Sequence, residues 1–236
     1  MINERINAVL EILAKTYPHA RIALNYSNPL ELLVAVVLSA QCTDKMVNLV
    51  TEKLFKKYKS LEDFLKADLK VFEQDVKSTG FYHNKAKNIL SSAKMVKEKF
   101  NGKIPQEMED LLTLPGVARK TANIILGNAY GKIVGIAVDT HVGRISQRLR
   151  LVDLNKIGGK KKIRFLKGDE EIIDFVKDAD AVKIEKELMV SVPQTEWFNI
   201  TYRIIDHGRA VCKAQNPNCT ICTLKKVCPV LRHRIP

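Results

Sequence analysis

Cys212, Cys219, Cys222 and Cys228 follow one another as C-x6-C-x2-C-x5-C within seventeen residues, and Cys42 is the only other cysteine. Four thiolates this close in sequence can enclose one metal centre without help from distant parts of the chain. An all-sulfur site of that kind takes zinc or an iron–sulfur cluster. Zinc sites more often show paired C-x2-C knuckles, and only one such pair occurs here. Disulfides are an implausible use for these thiols. The opening residues Met1-Ile2-Asn3-Glu4-Arg5 begin a helical pattern and lack the apolar stretch of a secretion signal, so an intracellular, cytoplasmic protein is expected. Cys42, between Gln41 and Thr43, reads as a small packing residue rather than a catalyst.

Two other stretches could carry chemistry. Leu114-Pro115-Gly116-Val117-Ala118-Arg119-Lys120-Thr121-Ala122 follows an amphipathic run and leads into Ile124, Ile125 and Leu126, which reads as helix, tight turn, helix. A turn that opens a helix aims several backbone N–H groups outward, a geometry suited to a phosphate oxygen, although the same turn can be a mere connector. Further on, Val138-Asp139-Thr140-His141 places an aspartate at a helix N-cap, where its carboxylate can accept from the Val142 amide. Capping alone would justify Asp139. A carboxylate fixed in this way is also suited to stabilising positive charge in a transition state.

The elements that must position these residues read as helix after helix. Ile6, Val9, Leu10 and Leu13 share one face of a first helix ending near Pro18. Asn28-Pro29-Leu30-Glu31 has the cap, the first-turn proline and the acid of a helix start. The run Leu32–Leu38 that follows is apolar on every side, fitting a strand or a fully buried helix, and the cap favours the helix. Helices are predicted over 43–58, 61–66, 69–77 and 85–100, with Ser60 and Asp68 as caps. No alternating apolar pattern of useful length and no internal repeat occurs, so the expected fold class is all-α. The glycine- and lysine-rich stretch 155–171 is expected to be an exposed, mobile, solvated loop, with room for a short hairpin through Ile163-Arg164-Phe165-Leu166.

At 236 residues, 46% of them hydrophobic, the chain can build one large or two small domains. It has no apolar run long enough to cross a bilayer. Lysine and arginine total 39 against 26 acids, a net charge of +13. An excess of this size favours a polyanionic partner such as nucleic acid, though a lysine-rich solvated surface would give the same number.

The lysine-bearing turn, the Val-Asp-Thr-His segment and the four-cysteine loop together resemble the endonuclease III family of helix-hairpin-helix DNA glycosylases. The resemblance starts at Leu38-Ser39-Ala40-Gln41-Cys42-Thr43-Asp44, passes through Thr79-Gly80-Phe81-Tyr82-His83-Asn84-Lys85, and includes His207-Gly208-Arg209. It implies two helical domains flanking a DNA-binding groove: a six-helix domain over 21–135, and a second domain made of 1–20 plus 136–236 that holds a [4Fe-4S] cluster on Cys212, Cys219, Cys222 and Cys228. It also implies a target nucleotide flipped out of the duplex.

Lys120 matches the family's catalytic lysine. The resemblance implies that its amine, deprotonated with help from desolvation and a cationic neighbourhood, attacks C1′ and expels the base, and that the resulting Schiff base permits β-elimination 3′ to the lesion. Asp139 matches the catalytic aspartate. Gln41 matches the residue that fills the gap left by the flipped base, and Phe81 falls where the family places an apolar wedge. His141 would line the pocket wall. The amides at Gly116 and Ala118 would hold a phosphate, and Lys213, Lys225 and Lys226 would place charge beside the backbone. The family often has a second glycine where Ala118 stands, which puts the local turn geometry in question.

Related adenine glycosylases lack the lysine, and eight-oxoguanine glycosylases generally lack the cluster. Within the family, lysine, aspartate and four cysteines together point to oxidised or ring-saturated pyrimidines, and the resemblance implies a glycosylase and AP lyase acting on double-stranded DNA that contains such lesions or abasic sites; a monomer is expected. The alternatives are a mismatch-specific glycosylase on the same scaffold, and a non-catalytic DNA-binding module with a structural metal.

Overall fold

A computed structural model describes residues 2–167 and 169–231, with backbone alone for Ile2, Asn3 and Lys167. Met1, Gly168 and residues 232–236, all within the expected 1–20 plus 136–236 domain, lie outside the described residues. Among the described residues are eleven α-helices, two short 3-10 helices and one two-stranded hairpin. The chain divides into two compact units: an internal one, Ile22–Val134, and a two-ended one made of Met1–Arg21 and Gly135–Pro236.

Helix α1 (Ile2–Thr16) belongs to the two-ended unit and ends ahead of Pro18, as its pattern predicts. Ile6, Val9, Leu10 and Leu13 are its buried stripe. The internal unit follows with α2 (Pro29–Leu38), α3 (Asp44–Lys57), α4 (Leu61–Leu65), α5 (Leu69–Val76), a 3-10 turn (Lys77–Thr79), α6 (Tyr82–Lys99), α7 (Met108–Leu112) and α8 (Arg119–Tyr130). Side chains set most of these starts. The Asn28 side chain accepts from the Glu31 amide at 3.0 Å with Pro29 in the first turn, Thr43 caps α3, Ser60 and Asp63 form a reciprocal capping box, and Asp68 caps α5. One detail differs from expectation. The Glu31 carboxylate accepts from the amide and hydroxyl of Ser27 rather than from Asn28.

Helix α2 is buried from Leu32 through Leu38, so its uniformly apolar sequence reflects a helix enclosed on all sides. Phe64, Phe72, Leu111, Leu114, Ile125 and Leu126 complete the same core. Truncating one of these side chains, as in Leu32→Ala, costs about 2–5 kcal/mol. Helix α6 starts three residues ahead of the predicted 85–100 because Phe81, in the left-handed conformation, forms its N-cap position without a side-chain hydrogen bond.

The two-ended unit resumes with α9 (Thr140–Arg148), strands β1 (Lys162–Lys167) and β2 (Glu170–Val176), α10 (Ala181–Ser191), a 3-10 turn (Gln194–Glu196) and α11 (Trp197–Ala210). Within the stretch 155–171, expected to be a solvated loop with a short hairpin through residues 163–166, those four residues lie in the first strand of a longer antiparallel hairpin that extends to Val176. Lys162 pairs with Val176, Phe165 with Ile172 and Lys167 with Glu170, with an irregularity between Ile163 and Arg164. Its second strand is anchored rather than solvated. Val176 and Asp174 are buried, and the Val176 amide donates to the Gln147 side chain of α9 at 2.7 Å.

Candidate active site and cysteine loop

Helices α7 and α8 are joined by a turn whose apolar residues, Leu114 and Val117, point into the internal core. Each donates its amide to a carbonyl three residues back, Leu114 to Leu111 and Val117 to Leu114, both at 3.1 Å. Gly116 has φ +80°, and a β-carbon there would lie 3.0 Å from Cβ and Nδ2 of Asn88 on α6. Backbone conformation and close approach both demand glycine. The Ser92 hydroxyl donates to the Pro115 carbonyl at 2.8 Å, so α6 braces the turn from one side.

Ala118 sits at the N-cap position of α8 with extended backbone, φ −94° and ψ 170°, and provides no side-chain cap. A second glycine is therefore unnecessary here: no positive φ is required, and the side chain is exposed. The first amides of a helix have no intrahelical acceptor, so this end of α8 can accept a phosphate oxygen. Lys120 lies in the first turn and is exposed. The protein alone does not bury its amine, so any desolvation there must come from a ligand.

In the two-ended unit, Asp139 occupies the N-cap of α9, half-buried. Its carboxylate accepts from the amides of His141 at 2.8 Å and Val142 at 2.7 Å. Two short bonds to one oxygen, at the positive end of a helix, fix the side chain and leave the other oxygen for chemistry. His141 is half-buried, with Nδ1 3.3 Å from Arg144 Nη2. The same Arg144 nitrogen donates to the Cys212 carbonyl at 2.9 Å, linking the helix that carries Asp139 to the cysteine loop.

Gln41 and Phe81 lie in the internal unit, each held at positive φ, 54° and 49°. Gln41 is exposed and Phe81 is 65% exposed, which excludes core burial for Phe81.

The four cysteines line one cavity, together with Ile145, Arg148, His207 and Leu224. All are free thiols. Burial pushes the Cys222 thiol up to about 11, and burial likewise raises Cys228. Charge on these sulfurs therefore requires a cation that replaces their protons. Among the described residues no three His, Cys, Asp or Glu side chains converge on a point at single-ion distance.

Two residues brace this cavity that sequence reasoning did not single out. Arg148 on α9 is buried. It donates to both carboxylate oxygens of Asp174 on β2 at 2.9 and 2.7 Å, to the Cys212 sulfur at 3.3 Å and to the carbonyls of Lys213 and Ala214 at 2.7 and 3.1 Å. His207 on α11, pushed down to about 4 by burial, is a neutral ring. Its Nδ1 lies 3.0 Å from the Tyr17 hydroxyl and its Nε2 3.7 Å from the Cys222 sulfur. His207 stands in a recognisable segment, whereas the Arg148–Asp174 pair spans 26 residues and leaves no local signal. Lys213, Lys225 and Lys226 are exposed on the loop.

Residues 34–166 match the family described as HhH-GPD superfamily base excision DNA repair protein. An endonuclease III from Synechocystis sp. is 45% identical, over 96% of this chain and 92% of its own length. One from Bacillus subtilis is 43% identical over 97% and 94%. Among solved structures, a trapped endonuclease III–DNA covalent intermediate superposes with a TM-score of 0.85 at 40% identity, covering 99% of both chains. A non-covalent endonuclease III–DNA complex gives 0.84 at 40% identity, over 98% of this chain and 97% of the other.

Proposed function

Because the chain belongs to the HhH-GPD superfamily of base excision DNA repair proteins, and within it to the endonuclease III family, we propose that Lys120 and Asp139 are the reacting groups of its DNA glycosylase and AP lyase activity. The enzyme is a base excision repair glycosylase/lyase of that family. The observation that carries the residue assignment is the placement of Lys120, an exposed amine in the first turn of a helix whose N-terminal amides have no side-chain cap. With a phosphate on those amides, the deoxyribose beside it comes within reach of the amine.

Lys120 gives up a proton and its nitrogen attacks C1′. The glycosidic bond breaks, and the base leaves with the bonding pair. The nitrogen lone pair then opens the sugar ring: the C1′–O4′ bond breaks, O4′ takes a proton, and the C1′–N linkage becomes a Schiff base, which acidifies the adjacent C2′ hydrogen. Its removal expels the 3′ phosphate by β-elimination. Asp139 offers a fixed carboxylate to the sugar as positive charge develops on it and assists the proton transfers. Gln41 enters the gap left by the extruded nucleotide, and Phe81 wedges and stacks beside it. His141 lines the wall of the nucleotide site, while Gly116, Ala118 and Lys213 meet the DNA backbone.

The substrates we assign are oxidised or ring-saturated pyrimidines and abasic sites in double-stranded DNA, approached by a monomer inside the cell. Among the described residues no helix is long and apolar enough to cross a membrane. Cys212, Cys219, Cys222 and Cys228 fit a [4Fe-4S] cluster through their common cavity and their number. Such a cluster supplies structural order to a basic loop.

Reductive trapping with borohydride on a thymine-glycol duplex tests this reading. Wild type gives a covalent adduct. Lys120→Ala abolishes the adduct while DNA affinity stays within about threefold, because one exposed cation contributes little to a multi-phosphate contact. An adduct of full yield from Lys120→Ala overturns the assignment. For the cofactor, purified protein is yellow-brown with about four irons per chain; a colourless, zinc-loaded protein refutes it.

A further inference from the structure

Lys85 is a buried cation with no part in the chemistry described above. It lies one turn into α6, 5% exposed, and its ammonium donates to the carbonyls of Leu38 and Thr79, both at 2.8 Å. No carboxylate pairs with it among the described residues. The two carbonyls belong to different segments. Leu38 is the last residue of α2, at the negative end of that helix, where a cation is favoured. Thr79 ends the 3-10 turn before Gly80.

Each carbonyl also stands just before a strained residue. Gln41, at φ 54°, follows Leu38 by three positions, and Phe81, at φ 49°, follows Thr79 by two. Non-glycine residues stay in this region only when their surroundings over-determine them. The Lys85 amide adds a third tie, donating to the Phe81 carbonyl at 3.2 Å. Both turns therefore converge on one side chain. Burying a lysine is expensive, and leucine or methionine would fill the same volume at less cost. What an apolar residue could not do is hold two carbonyls from two loops at a set separation.

We propose that Lys85 is a positioning residue which fixes the spacing between Gln41 and Phe81, so that both side chains enter the duplex together when the damaged nucleotide leaves it. The proposal rests on the reading of Gln41 and Phe81 given above. It deepens that reading by making one buried ammonium the common footing of the gap-filling and wedging side chains.

The test uses the full-length, iron-loaded enzyme on two duplexes, one carrying thymine glycol and one a preformed abasic site, which has no base to unstack. Lys85→Met removes both hydrogen bonds at similar volume. Base excision then falls on the order of 10- to 100-fold, the scale of a misplacement of about an ångström, while cleavage at the abasic site falls far less. In a Gln41→Ala/Phe81→Ala background, Lys85→Met adds no more than about a twofold further loss, because it acts through those residues. Equal losses on both duplexes, undiminished losses in the double-alanine background, or unchanged excision by a folded Lys85→Met each overturn the proposal. Should Lys85→Met not fold, Lys85→Gln, which keeps an amide donor, repeats the comparison. If neither folds, Lys85 is a determinant of the fold and the proposal falls. Failure of the underlying reading looks different: wild type itself would neither excise thymine glycol nor be trapped on abasic DNA.

Discussion

The imidazole of His141 occupies the place that a side chain on Gly208 would need: a β-carbon at 208 would lie 2.5 Å from His141 Nδ1 and 2.9 Å from Ile145 Cδ1. Helix α11 crosses α9 at this point, and the glycine is what permits the approach. Gly208→Ala must therefore push the ring aside or part the helices. We expect destabilisation of about 1–3 kcal/mol in urea unfolding, together with loss of excision. Adding His141→Ala should recover most of the stability but not the activity. A Gly208→Ala protein as stable as wild type would show that the contact gives way freely.

Asp139 caps α9 and, as we propose, serves the reaction, and the two roles separate by substitution. Asn can accept from the same amides, so Asp139→Asn should unfold within about 1 kcal/mol of wild type, whereas Asp139→Ala loses the cap and about 0.5–2 kcal/mol. Both should be severely impaired in excision. Activity that tracks stability across the pair, with Asn near wild type, would reduce Asp139 to a helix cap.

The Arg148–Asp174 pair is almost wholly buried, with side chains 3% and 1% exposed. Removing one partner of such a pair costs about 3–5 kcal/mol, because the other charge stays behind unpaired. Asp174→Asn should show a loss of that order in chemical denaturation. It should also loosen Arg148 from Cys212, Lys213 and Ala214, so that iron of the cluster we propose there is lost faster to a chelator at neutral pH. Iron retention equal to wild type would separate the hairpin from the cysteine loop.

Burial lowers the Lys85 pKa below the ordinary 10.5. The folded chain thus gives up this proton at a lower pH than the unfolded chain does. In the alkaline window between the lowered value and 10.5, the unfolded state holds more protons, and stability rises with pH. Measured by urea unfolding, wild type should gain stability relative to Lys85→Met as pH rises through that window. Wild type losing stability relative to Lys85→Met over that window would mean that the ammonium is favoured in its buried site.

Helix starts were legible where a side chain does the capping. Asn28, Ser60, Asp68 and Asp139 each announce a start, and each accepts the expected amide hydrogen bond. The start of α6 was not legible, because Phe81 fills the cap position by backbone conformation alone. The four cysteines declared a shared site through spacing, and they do line one cavity. The hairpin was legible only as a short one through residues 163–166, and its full extent to Val176 was not, for a physical reason. Its cross-strand pairing is interrupted beside Arg164, and the buried residue Asp174 is charged, so neither strand shows clean alternation. Lys85 and Arg148 leave no sequence pattern because Lys85 pairs only with backbone carbonyls, one of them 47 residues away, and Arg148 with a carboxylate 26 residues away. Single-sequence patterns carry helical faces and caps far better than such pairings.

The division of the chain has a temporal consequence. The unit that carries the thiols draws on residues 1–21 and on everything from 135 onward, with the other unit threaded between. During synthesis on the ribosome, the inserted unit can finish folding while its neighbour still lacks the cysteines. Helix α1 must then wait for α11, whose His207 is met by Tyr17, the residue just past the end of α1. For the cluster we propose on these cysteines, metal delivery would then follow the folding of the inserted unit, and a shortage of iron should leave that unit folded and the other unfinished.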